Sequence, residues 1–332
     1  MDSEDSMLKT PLYTISRTDL QMAPIGYGCM TIGGNWSTEP WTSSEYEIGR
    51  KALAAALEQS ITLFDHADIY TRGKSERLFG ELLAEQPSLR QQIVLQSKCG
   101  IRFADEPPGS PQRYDFSYEH IITSVEGSLK RLNTDHLDLL LLHRPDMLVE
   151  PEEIAQAFDQ LQQSGKVRYF GVSNHSPAQI DLIQAALDQP LVVNQVQLSL
   201  LHHQLISEGI DTNRSNLPFN AAFGLLDYCR LHKIQIQAWG PLSAGQLVNF
   251  NDDAPANVKA TAALVNQLAE QYDVSSEAIQ LAWLLRHPAQ ILPIIGTTNP
   301  GRIAATKQAL QIELSREEWY HLLAAARTAN VP

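Results

Sequence analysis

Leu137-Asp138-Leu139-Leu140-Leu141-Leu142-His143 decides the fold of this chain. From 138 to 142 it is almost continuously apolar, as a strand covered on both faces must be, and it ends on a histidine. Runs of the same kind lie at 61–65, 93–98, 169–173, 192–196, 234–239 and 291–295, with a weaker one at 23–30. Between them the spacing turns helical. Ile48, Ala52, Ala55 and Ala56 mark a helix over Ser43–Glu58, and Ile121, Val125 and Leu129 mark another over 117–132. Eight strand–helix units without a break in composition predict a parallel α/β protein in one domain, a closed (β/α)8 TIM barrel. An open dinucleotide-binding sheet would need a Gly-x-Gly-x-x-Gly turn. In Gly26-Tyr27-Gly28-Cys29-Met30-Thr31 a threonine stands where the third glycine belongs, and Gly33 and Gly34 are at the wrong spacing.

The expected organisation is a flexible tail over residues 1–10 and the barrel over 11–332. Two long segments after late strands, 200–223 and 240–257, are expected to wall a pocket at the barrel mouth. Ser315 with Glu318 three residues on predicts a capped extra helix over 315–327, packed outside the barrel.

Of the 332 residues 43% are hydrophobic and 19% charged, enough to fill a large core and too apolar for a disordered chain. A net charge of −13, spread along the chain, argues against a nucleic-acid partner. Cys29, Cys99 and Cys229 form no Cys-x-x-Cys pair, so reduced thiols are expected rather than a disulfide framework or a zinc site. The N-terminal stretch is acidic and lacks an apolar signal core, and no apolar run is long enough to span a membrane. A cytoplasmic protein without a membrane partner is expected, monomeric or a simple homo-oligomer.

The chemistry lies where polar residues end the strand pattern: Asp65, Lys98 and His143, with Tyr70 five residues beyond Asp65. Parallel barrel strands aim their C-terminal ends at one face, so these four side chains should converge there. Tyrosine is a weak acid, with an unperturbed pKa of about 10. A lysine against its hydroxyl would lower that value, an aspartate would keep the lysine charged, and a histidine could polarise a carbonyl from the other side. Taken singly, each has a plainer reading. Asp65 could cap a helix, Lys98 could be a surface lysine and His143 a satisfied strand-end ring. His66 and Asp68 invite a metal reading beside Asp65, but no further ligand stands at a usual spacing, so no metal is expected. His202 and His203, and Asp252 with Asp253, read as solvated loop residues.

Phe64-Asp65-His66-Ala67-Asp68-Ile69-Tyr70, Ser97-Lys98, Leu141-Leu142-His143-Arg144-Pro145-Asp146 and Gly171-Val172-Ser173-Asn174 resemble, in order, the signatures of the aldo-keto reductases. The likeness runs from about residue 25 to 310. It implies an eight-fold barrel, an extended nicotinamide cofactor without a Rossmann motif, and an Asp-Tyr-Lys-His tetrad at Asp65, Tyr70, Lys98 and His143. It implies an oxidoreductase acting on a small carbonyl substrate. By the same resemblance Ser173, Asn174 and Gln195 hold the nicotinamide carboxamide and Trp239 stacks on its ring. Pro241, Leu242, Ser243 and Gly245 belong to a loop around the pyrophosphate, and Gly296, Thr297 and Thr298 open a helix suited to phosphate. Arg302 matches an arginine near the adenosine 2′-phosphate, which favours NADP (NADPH) over NAD. A lysine common at Gly296, and a Glu-Asn pair at Ala305 and Thr306, are missing here. Met30, Trp36 and Arg144 are candidate substrate-pocket residues. Two other readings of the barrel remain: a cofactor-binding regulatory subunit with little turnover, and a phosphate-binding isomerase, which has no use for a Tyr–Lys pair.

Overall fold

The computed structural model describes residues 12–211 and 223–327; the expected tail at 1–10, the stretch 212–222 of the first long loop and residues 328–332 lie outside them. Its strands are β1 (Gly26–Gly28), β2 (Leu63–Asp65), β3 (Val94–Cys99), β4 (Leu137–Leu142), β5 (Val167–Ser173), β6 (Leu191–Gln197), β7 (Gln235–Trp239) and β8 (Leu292–Ile295). They close into one parallel barrel in chain order, β8 pairing with β1. Each expected run contains a strand, though several limits move. Ile61, expected in β2, instead closes the preceding helix, its amide donating to the Ala56 carbonyl at 3.1 Å.

The helices are α1 (Ser43–Glu58), α2 (Lys74–Glu85), α3 (Tyr118–Leu132), α4 (Pro151–Gln163), α5 (Pro177–Gln184), α6 (Gln204–Asp211), α7 (Leu225–Leu231), α8 (Ala256–Tyr272), α9 (Ser276–Leu285), α10 (Pro300–Ala305) and α11 (Arg316–Arg327). Helix α1 has the expected limits but a different buried face. Ile48 is exposed, and Gly49 and Leu53 join Ala52, Ala55 and Ala56 inside. Gly49 permits this, because a Cβ there would stand 2.3 Å from the Ile32 carbonyl oxygen. The polar stretch after β6 carries α6, so it is not wholly a loop, and the expected loop 240–257 ends in the first residues of α8. Ser315 caps α11 as its spacing predicts: its hydroxyl accepts the Glu318 amide at 3.1 Å and Glu318 takes the Ser315 amide at 2.8 Å. The helix is fixed outside the barrel by Trp319, stacked on Trp283 with ring centroids 5.2 Å apart.

A larger apolar layer lies between barrel and helices. A smaller one fills the lower barrel, where Leu63, Val94, Leu139, Leu141, Val193 and Leu292 meet Ile15, Leu20 and Met22. Those last three belong to an antiparallel hairpin, Tyr13–Thr14 with Gln21–Met22, which the sequence pattern did not reveal. It seals the N-terminal end of the barrel, and Arg17 donates to the Leu191 carbonyl at the start of β6 (2.7 Å). The opposite end stays open.

Burial pulls His66 down to about 3, helped by the Lys98 charge, and pulls His175 down to about 4 despite its bond to the Ser173 carbonyl. His143 is likewise held well below its ordinary value, first by burial and then by Lys98 and Arg144. Asp68 opposes them, pushed up to about 7 by burial and then by Glu76. Unfolded histidines take up protons near pH 6.5, before these native ones, so their contribution is complete above that pH and falls as the pH drops toward 4. Asp68 has the opposite sign, gaining as the pH drops through 7. These three against Asp68 would lose roughly 1–3 kcal/mol per pH unit below 6.5, and His287, pulled down to about 4 by burial, acts in the same direction. Urea unfolding at pH 7, 6 and 5 should show falling stability, with a shallower fall in His66→Phe. A flat or rising profile would contradict the assignment of neutral buried histidines.

Candidate active site

The C-terminal ends of the strands surround a cavity of about 820 Å³. Asp65 and His143 stand at the ends of β2 and β4 and line it with Tyr70. Tyr70 is presented by a sharp turn in which Thr71, Arg72 and Gly73 have φ of 45°, 58° and 79°, all left-handed. Such strain persists only where neighbours fix it. The Thr71 hydroxyl supplies part of that, donating to the Tyr70 carbonyl at 2.8 Å while accepting the Ser75 amide at 3.1 Å.

Lys98, in β3, is buried beneath these residues. Its ammonium reaches Asp65 Oδ1 and Oδ2 at 2.8 and 2.9 Å, the His66 carbonyl at 2.7 Å and the Tyr70 hydroxyl at 3.0 Å. Its three protons are thereby engaged. Because Lys98 can only donate, the Tyr70 oxygen accepts from it and keeps its own proton for another acceptor. The Tyr70 and His143 rings meet edge to face, centroids 5.9 Å apart.

The electrostatics correct one expectation. Burial pushes the Tyr70 hydroxyl above its ordinary value, and the Lys98 charge only offsets part of the rise. Burial also acts to lower Lys98, but Asp65 and Tyr70 outweigh it and hold the ammonium above its usual range. At neutral pH the site therefore contains a protonated phenol, a charged lysine and a neutral imidazole.

Across the cavity, the Ser173 hydroxyl donates to the Gln195 carbonyl at 2.8 Å. Asn174, itself left-handed at φ 61°, is clamped within the protein: its amide nitrogen donates to Ser173 Oγ at 2.8 Å and its oxygen accepts Trp239 Nε1 at 3.1 Å. The indole is thus fixed at the rim, with the Arg144 guanidinium 5.7 Å from its ring centroid. Met30 and Trp36 line the mouth and are exposed.

Pro241, Leu242, Ser243 and Gly245 form one wall, with Ser243, Ala244 and Gly245 all left-handed. Gly296 and Thr297 follow, but Thr298 lies outside the lining. Thr297 is held by its neighbours, its carbonyl accepting the Tyr27 hydroxyl and its own hydroxyl the Asn299 amide. Helix α10 offers fewer free amides than expected, since Pro300 has none and Asn299 caps that of Arg302 at 3.1 Å. The Arg302 side chain lines the cavity, its Nε 3.4 Å from a Glu277 carboxylate oxygen. Ser243 Oγ and Gln280 Oε1 are buried in this wall without a hydrogen-bond partner among the described residues. Such orphans fit a large polar ligand, and an extended dinucleotide matches the cavity's size and its string of donors and acceptors. Among the described residues no three His, Cys, Asp or Glu side chains are grouped to hold a metal ion.

The model of the Aldo/keto reductase family matches residues 24–326. The chain belongs to that family. It is 37% identical over 303 residues to an uncharacterised oxidoreductase of Bacillus subtilis, YcsN, covering 91% of this chain and 95% of that protein. It is 36% identical over 309 residues to a 6-dehydroglucose reductase of Agrobacterium fabrum, covering 92% and 95%. Among solved structures, an aldo/keto reductase of Klebsiella pneumoniae in complex with NADP and acetate superposes with a TM-score of 0.69 at 25% identity, over 94% of this chain and 93% of that one.

In this aldo/keto reductase, every residue that the sequence analysis assigned to the site lines the cavity except Thr298 and Lys98, which touches it through Tyr70. Glu277, Gln280 and His202 line it too and were not expected there. Glu277 and Gln280 sit on α9, distant in sequence from every motif. His202, read as solvated, is half-buried in the wall, whereas Asp252 and Asp253 are exposed as expected. Two buried glutamines beneath the site, Gln96 and Gln237, were also missed; a polar residue inside an apolar strand was the available signal.

Removing Lys98 would leave the Asp65 carboxylate buried without its cation. Lys98→Met should therefore destabilise the fold by about 3–5 kcal/mol in urea unfolding, and Asp65→Leu/Lys98→Met by less. A double variant no more stable than the single one would deny that the pair is the source of the loss.

Proposed function

We propose that this aldo/keto reductase reduces a small polar carbonyl compound using NADPH, with Tyr70 as the proton donor. The observation that carries the reading is the Tyr70 hydroxyl, which accepts from Lys98 at 3.0 Å and so must direct its own proton into the cavity. A bound nicotinamide dinucleotide supplies the hydride that carbonyl reduction requires. As charge develops on the carbonyl oxygen, Tyr70 delivers its proton there and the adjacent Lys98 ammonium stabilises the phenolate that results. Asp65 keeps that ammonium charged and in place. His143, neutral through burial, orients the carbonyl by a hydrogen bond and does not compete as an acid.

The Klebsiella relative's bound NADP supports this cofactor, and the name of the Agrobacterium relative supports a sugar-like aldehyde as substrate. Arg144, Gln197, Ser199 and His202 in the wall provide polar groups for substrate hydroxyls. Three buried free thiols suit a reducing compartment such as the cytoplasm.

Tyr70→Phe removes only the hydroxyl. Turnover of an activated aldehyde, followed by NADPH absorbance, should fall about 10²–10⁴-fold or more, while NADPH binding stays within twofold of the wild type, roughly unchanged. Near-normal turnover would show that the acid is another group.

Arg302 meets the 2′-phosphate in this reading, and Glu277 opposes it. Arg302→Ala should weaken NADPH by about 10-fold, the lower end for a charge-assisted bond because Glu277 already engages the guanidinium, and should spare NADH. Glu277→Gln should tighten NADPH. Fluorescence-quenching constants decide the matter, and equal changes for both cofactors would reject the assignment.

A further inference from the structure

Beneath the cavity, three glutamines and an aspartate form one hydrogen-bonded chain inside the barrel. Gln96 of β3 stands in register beside Asp65 of β2, and Gln237 of β7 beside Gln195 of β6. The two pairs meet across the barrel axis. Gln96 Nε2 donates to Asp65 Oδ1 and, at 2.9 Å, to Gln237 Oε1; Gln237 Nε2 returns a bond to Gln96 Oε1 at 2.9 Å; Gln195 Nε2 donates to Gln237 Oε1 at 2.9 Å. All four residues are buried, directly above a layer of Leu, Val and Ile. Apolar side chains would fill this space without the desolvation that three amides require, so packing alone does not account for them.

The chain has a fixed direction. A glutamine side chain can exchange its oxygen and nitrogen by a half-turn with almost no change of shape, so an amide network needs an anchor. Asp65, held as a carboxylate against Lys98, only accepts. Gln96 must turn its nitrogen to Asp65, which sets Gln237, which sets Gln195. Reversing any one amide would place oxygen against oxygen in a dry interior. Gln195 is thereby compelled to turn its nitrogen inward and its oxygen toward the cavity it lines. That oxygen has no hydrogen-bond partner among the described residues.

We infer that Gln96 and Gln237 are positioning residues that transmit the polarity of the Asp65 carboxylate to Gln195, so that Gln195 offers an amide oxygen to the carboxamide NH2 of the nicotinamide. The inference rests on the nicotinamide reading of the cavity. It ties the proton-donating side of the site to the cofactor side: the carboxylate that holds Lys98 charged also selects which face of an amide the cofactor meets.

The 3-acetylpyridine analogue of NADP tests this directly, because a methyl group replaces the NH2 that Gln195 would recognise. Wild-type protein should bind NADP about 5-fold more tightly than the analogue by fluorescence quenching, the worth of one neutral hydrogen bond. In Gln237→Met, and separately in Gln96→Met, that preference should vanish, with NADP weakened and the analogue and 2′,5′-ADP unchanged. Equal affinity of the wild type for NADP and the analogue would overturn the inference whether or not the variants fold. So would variants that weaken both dinucleotides alike, as a merely structural role predicts, or that keep the preference intact. Failure of the wild type to bind NADP, NAD or 2′,5′-ADP would instead remove the cofactor reading beneath it.

Discussion

A lysine ammonium buried inside a barrel is the constraint around which this site is arranged. Lys98 is about 1% exposed, and a charge so placed persists only if its protons are all engaged and an anion stands beside it. Asp65, the His66 carbonyl and the Tyr70 hydroxyl meet that demand. Each consequence that matters follows. The phenol must accept from below and so donates above. The Asp65 carboxylate, bonded to Lys98 through both oxygens, also accepts from Gln96 and so orients the glutamines on its far side. The Lys98 charge also disfavours a second cation nearby, adding to the burial that keeps His66 and His143 neutral.

The barrel makes such a cluster affordable by dividing its interior. The lower half is closed by aliphatic side chains and the N-terminal hairpin, which excludes water from beneath the ion pair. The upper half is polar and opens on the cavity. Asp65 and Lys98 sit on adjacent strands; register sets Gln96 beside Asp65, and Lys98, two residues further along β3, reaches the carboxylate with its long side chain. The tetrad's precision therefore comes from strands, while Tyr70 alone is supplied by a turn, and that turn is strained and internally bonded.

This division explains what the sequence made legible. Buried parallel strands leave unbroken apolar runs, and a polar residue closing such a run is conspicuous, so the strands and the positions of Asp65, Lys98 and His143 could be read directly, whereas Tyr70 lies in a turn beyond any run. Residues that work through alternation within a strand, such as Gln96 and Gln237, were hidden because their significance lies in partners more than a hundred positions away. Glu277 and Gln280 were hidden differently: they face the cavity from a helix whose pattern reports only its packing against the barrel. The hairpin before β1 is too short to show a period. In α1 the apolar spacing located the helix but not its buried face, which a glycine's close approach decided.

Burial and charge pull the Tyr70 proton in opposite directions, and the balance matters for the proposed chemistry. Burial wins, so the hydroxyl holds its proton more firmly than free tyrosine does. Taken alone that would make a poor acid. The lysine beside it acts chiefly on the charged form, stabilising a phenolate that scarcely exists at rest but that forms as the proton departs. In the proposed chemistry the arrangement keeps the acid loaded in the resting site and applies the lysine's electrostatic help as the proton leaves. In a fully exposed Tyr–Lys pair water would screen the lysine and compete for the proton. Burial opposes the proton's departure, and the unscreened Lys98 charge beside the phenol is what eases it.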